Sequence, residues 1–170
     1  MNIDQILGIV AFGVSGLAAG LCAWRLGSGR ASWSLIAFLN LAICLELATT
    51  NRFELSAWLK EAWAADLSRD ERRSFQAEVI AWSGSVFAIL FVIWLWRLRT
   101  LALRLAAVAS VGGLVLVGLE VVSLHSIDAV LYTRRTGLLV IVWAWGGSGA
   151  ITTLAALGAL IRNLERDDRG

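Results

Sequence analysis

The chain contains no proline, one histidine, one tyrosine, one methionine and two cysteines. Charged residues make up 16% of it, against the roughly 25% usual in a soluble domain. Each shortage excludes something. A lone histidine, His125, cannot supply bis-histidine haem ligation within one chain. It also rules out a histidine-rich di-iron site, and the E-x-x-H pairs of such sites are missing. Cys22 and Cys44 fall inside apolar runs without C-x-x-C spacing, so they read as small buried thiols, not a disulfide framework or a thiol-redox centre.

Motif absences narrow the field further. There is no G-x-S-x-G or H-E-x-x-H for hydrolytic chemistry, and no phosphate-binding loop or dinucleotide fingerprint. No internal repeat or matched pair of broken helices points to an inverted-repeat transporter. The formal net charge is +2, and the arginines never form one long basic block, so nucleic acid is not an expected partner. No positive segment precedes the first apolar run, which predicts a retained helix in place of a cleaved signal peptide.

What the chain does have is apolar length. It is 58% hydrophobic with a mean hydropathy of +0.73. Five apolar segments lie at about 5–26, 33–51, 75–97, 101–124 and 137–161, each near the ~20 residues that cross a ~30 Å hydrocarbon core. In lipid the backbone must satisfy its own hydrogen bonds, and strict alternation is absent, so these segments are helices. The expected fold is therefore all-α: a single membrane domain, residues 1–170, built as a bundle of five transmembrane helices. At WLWRLRTLALRL the third and fourth segments meet over a few residues and should form an antiparallel hairpin.

Arg25, Arg30, Arg97, Arg99, Arg104, Arg162, Arg166 and Arg169 all fall on one side of a five-span chain. The other side receives Arg134, Arg135 and a second loop whose basic residues are matched by Glu54, Glu61, Asp66, Asp70 and Glu71. Positive-inside bias then predicts an outer N-terminus and a cytoplasmic C-terminus. Arginine stands in place of lysine almost throughout, Lys60 being the exception, a composition that suggests a GC-rich bacterial genome and hence, for a membrane protein, a bacterial inner membrane as the expected location.

The second loop carries a pattern of its own. Leu55, Trp58, Leu59, Ala62 and Trp63 follow an amphipathic stripe, which predicts a short interfacial helix over about 53–65. Ser68 to Glu71 has the S-x-x-E form of a capping box for the next helix. Small-residue patches occur at Gly16–Gly20, Ser83–Ser85, Gly112–Gly113 and Gly146–Ala150. They predict close helix contacts, either internal or with a membrane-protein partner or second copy.

Ionisable groups inside apolar helices cost at least ~2.5 kcal/mol each at mid-bilayer, so each is a functional candidate. Glu46, Glu78 and Glu120 qualify. Counting from flanking charges at about 1.5 Å per residue puts each about 7–9 Å inside the outer boundary. Thr50, Asn51, Arg52, His125, Asp128 and Tyr132 belong to the same end, and the Thr49 and Thr50 hydroxyls are placed to hold Glu46. If the fourth helix continues past residue 124, Glu120, His125 and Asp128 fall within about 80° of one another on it.

Such a cluster fits a transition-metal site with Glu46, Glu78, Glu120, His125 and Asp128 as ligands. It equally fits a proton or cation path, or a structural polar tie. Trp94 and Trp96 suit an aromatic belt, and Trp143 and Trp145 lie at the depth of the glutamates. No residue pattern assigns a catalytic role. The expected function is an accessory or assembly subunit of a larger membrane complex; the alternatives are a metal-dependent membrane enzyme and a small proton- or cation-coupled carrier.

Overall fold

Proline-free apolar runs fold here as long uninterrupted helices. The computed structural model describes residues 3–49, 54, 57–58, 69–122, 130–135 and 137–168. The helices are α1 (Ile3–Arg25), α2 (Arg30–Thr49), α3 (Arg69–Arg97), α4 (Leu101–Val122) and α5 (Val140–Asp167). Two-residue strands β1 (Arg134–Arg135) and β2 (Leu138–Leu139) form an antiparallel hairpin ahead of α5, with Arg134 opposite Leu139. The last helix therefore starts at Val140 and not at residue 137.

Four helices, α1, α2, α4 and α5, are long and apolar enough to cross a membrane, and the chain is compatible with an integral membrane protein. The expected third span falls on α3, whose apolar stretch includes Ala81–Arg97 and is preceded in sequence by the apolar Val79 and Ile80. The expected interfacial helix lies outside the described residues apart from Glu54, Ala57 and Trp58, which are helical and exposed. Ser68 of the expected capping box is also outside them.

Turn chemistry sets the helix ends. α1 stops at Gly27–Gly29, where Gly29 takes φ +75°, a conformation without steric cost only for glycine. A Cβ on Gly29 would also come 2.8 Å from Leu103 Cδ1. α4 starts at Thr100, whose Oγ1 accepts from the Leu103 amide at 3.2 Å as an N-cap. Both turns lie at the same end of the molecule, called here the arginine end. The start of α1, the end of α2 and the end of α4 form the opposite, acid end, where Gln5 Nε2 donates to the Leu47 carbonyl at 2.6 Å.

The core divides into two apolar layers. One, toward the arginine end, includes Cys22, Trp33, Ile36, Leu103, Ala106 and Ala156. The other, toward the acid end, includes Phe12, Ile43, Leu47, Val117, Ile141 and Trp145. α1 lies at the centre of the packing, against α2 and α5. Close approach depends on small residues, as expected where lipid removes the hydrophobic drive between helices. A Cβ on Gly149 would fall 2.7 Å from the Ala11 carbonyl oxygen, so α5 and α1 nearly touch backbone to backbone. Gly16 likewise packs on Leu41, and Gly113 on Phe12. Several of the small patches are thus consumed inside the bundle, while Gly84, Gly112, Gly146 and Gly147 face open space.

α3 does not share this packing. Its last turns are tied down, with Phe91, Trp94 and Leu95 against the arginine-end layer and Leu98 buried. From Ala81 to Leu90 every residue is exposed. α3 is anchored at its last turns and exposed on every side over Ala81–Leu90.

Candidate functional site

Glu120 lies near the end of α4 and is buried, 6% exposed. Tyr132 returns to it after the loop and donates from Oη to Glu120 Oε1 at 2.5 Å, the short end of O–H···O geometry. Asp4 enters the same end from the first turn of α1 and is equally buried, at 4%. Its Oδ2 lies 3.7 Å from Arg134 Nη2, an ion pair to a guanidinium that is itself largely in solvent. The hairpin holds that arginine in place: Gly137 turns the chain at φ +87°, and Arg134 Nη1 donates to its carbonyl at 3.1 Å. Asp4 Oδ1 has no hydrogen-bond partner among the described residues, and neither has the buried indole N–H of Trp145.

The three glutamates that the sequence brings to one level differ in exposure. Glu120 is buried, Glu46 is half-buried on α2, and Glu78 is exposed on α3. No group of three or more His, Cys, Asp or Glu side chains able to hold a metal occurs among the described residues. Glu78 is carried by α3, whose residues Ala81–Leu90 are all exposed. Thr50, Asn51, Arg52, His125 and Asp128 lie outside the described residues. Thr49 Oγ1 donates to its own helix at the Leu45 carbonyl, 3.0 Å away. The tryptophan pair divides: Trp143 is 57% exposed, whereas Trp145 is buried against Gly8.

A second polar feature is absent from the sequence-based candidates. Ser15, Asn40, Ser110 and Thr152 are each fully buried and come one apiece from α1, α2, α4 and α5. Asn40 Nδ2 uses both protons, to the Ile36 carbonyl at 2.8 Å and to Ser110 Oγ at 2.7 Å. Asn40 Oδ1 accepts from Ser15 Oγ at 2.8 Å, a proton shared with the Phe12 carbonyl at 3.0 Å. Ser110 gives its own proton to the Ala106 carbonyl at 2.8 Å, so at the 3.3 Å contact Thr152 is the donor. The result is a hydrogen-bonded girdle joining four helices at mid-bundle.

Other short side chains tie helix to helix through carbonyls. Ser148 Oγ donates to Ala109 O at 2.7 Å, and the Cys22 thiol to Ala156 O at 3.3 Å. Both cysteines are free. The girdle lies between the two apolar layers, and chemically it fastens helix to helix.

One signal in the sequence could have found the girdle. Asn40 lies ten residues into a twenty-residue apolar helix, where an amide must find partners in the bundle. Asp4 is harder to see, because an acid in a helix's first turn is ordinary dipole pairing; only tertiary burial sets it apart. No protein-family description, curated protein or solved structure matches this chain.

Proposed function

We propose that this chain is a non-catalytic membrane subunit that uses α3 to dock onto another membrane protein. The observation that supports the reading is the contrast within one molecule. Four helices are tied by a chain of buried hydrogen bonds, while Ala81–Leu90 of α3 is exposed on every side. Trp82, Ile89 and Leu90 are 76%, 60% and 61% exposed. Gly84 has open space around it, where a partner helix could approach closely. Paired with such a helix, α3 serves as the fifth span.

The arginine end then faces the cytoplasm by positive-inside bias, with the N-terminus outside, in a bacterial inner membrane. The two apolar layers on either side of the girdle favour this scaffold reading over a carrier, since an aqueous path needs continuous polar lining.

The test is site-specific photo-crosslinking from Ile89 in native membranes, followed by mild extraction. A discrete adduct with a different membrane protein is expected, and Phe12 as the crosslinking position should give none. A chain extracted alone and monodisperse, without an adduct, overturns the proposal. An adduct made only of two copies of this chain also overturns it.

A further inference from the structure

At the arginine end the α1–α2 turn, the α3–α4 turn and the last turns of α5 enclose an open cavity of about 730 Å³. That is within the ~300–1,000 Å³ range of small-molecule sites. Arg97, Arg99, Arg162 and Arg166 line it, and among the described residues no acidic one does. These four arginines come from two separate parts of the chain, 97–99 and 162–166, brought together by the packing of α5 beside α4. Ser28, Ser32 and Thr100 add hydroxyls to the wall. The amino ends of α2 and α4 lie at the same cavity, adding their partial positive charge to the guanidinium groups.

The floor has the opposite character. Leu26, Trp33, Leu98 and Leu103 form it, all of them buried. Beside the cavity, the outer surface of the helices remains apolar, with Leu101 68%, Trp96 81% and Ile161 55% exposed. A cationic rim over an apolar floor, with exposed apolar residues nearby in the chain, is suited to an amphiphile with an anionic head. Guanidinium groups match phosphate oxygens in geometry as well as charge. A small soluble anion would gain the rim but nothing from the floor or the exposed apolar residues.

We propose that this cavity binds the phosphodiester headgroup of an anionic phospholipid, whose acyl chains lie along the apolar surface beside Leu101 and Trp96. The site is separate from the docking helix surface at Ala81–Leu90, and its test does not depend on a partner. Arg25 and Arg30 lie at the same end without lining the cavity, Arg25 being stacked on Trp24 at 4.9 Å. They provide an internal control for unspecific surface charge.

The full chain, delipidated in a neutral detergent, is titrated with phosphatidylglycerol or phosphatidylcholine and followed by native mass spectrometry. One phosphatidylglycerol should bind where phosphatidylcholine does not, and millimolar inorganic phosphate should fail to displace it. Arg99→Gln with Arg162→Gln should weaken binding roughly 25-fold, about fivefold for each charge near the surface. Arg25→Gln with Arg30→Gln should change it by less than about twofold. Equal binding of the two lipids by the wild type overturns the proposal, even if a variant fails to fold. So does equal weakening by both double variants, which would mean general surface charge. Displacement by inorganic phosphate overturns it in favour of a soluble anion.

Discussion

α3 and α4 are neighbours in sequence, joined by Leu98–Thr100, and both are strongly apolar, yet one is built into the bundle and the other is not. Hydrophobicity does not separate them. Side-chain size does. The buried face of α4 carries Ala102, Ala106, Ala107, Ala109, Ser110 and Gly113. The apolar part of α3 carries Trp82, Phe87, Phe91, Trp94 and Trp96, with Ile89 and Ile93 between them. In lipid there is no hydrophobic gain from bringing helices together, so packing and hydrogen bonds decide association. α4 offers a narrow surface and a serine for the girdle; α3 offers bulk.

The comparison can be pressed hardest at two glycines. Gly149→Val places a branched side chain against the Ala11 carbonyl, already 2.7 Å from a bare Cβ. It should cost about 3 kcal/mol by overpacking, seen as a lower unfolding midpoint in mixed micelles. A smaller loss, about 1–2 kcal/mol, is expected for Asn40→Leu. That change strips three hydrogen bonds from the girdle, and membrane hydrogen bonds are individually modest. If Asn40→Leu is neutral, the girdle does not hold the bundle together.

Tyr132→Phe removes the donor to Glu120 and should cost about 1 kcal/mol. The expected readout is faster hydrogen exchange at Val140, whose amide is held by the Thr133 carbonyl at 2.9 Å. Gly84→Val on α3 comes last. With open space around that position, it should shift bundle stability by less than about 0.5 kcal/mol. A large loss there would mean that α3 packs on its own bundle.

Much of the fold was legible in advance. The helices announce themselves through apolar length, whereas the turns at Gly29 and Thr100, before α2 and α4, emerge from the structure. The candidate site was less so. Counting residues from flanking charges placed Glu46, Glu78 and Glu120 at one depth, but lateral position depends on which helices pack together. Glu78 is carried by α3 and is exposed. Asp4 was overlooked because the first turn of a helix is a normal place for an acid. Its burial comes from the hairpin that lays Arg134 over it, a contact spanning most of the chain.

The sequence by itself determined that this is a helical protein whose long apolar segments are compatible with a membrane, because backbone hydrogen bonding leaves such segments no other form in lipid. It also determined the gathering of arginines at the segment ends. Tertiary structure alone decided which polar groups meet. Ser15, Asn40, Ser110 and Thr152 form one girdle, and Arg97, Arg99, Arg162 and Arg166 form one cavity, because small residues set the distances between helix axes. Axial spacing is written in the chain, but lateral neighbours are a property of packing.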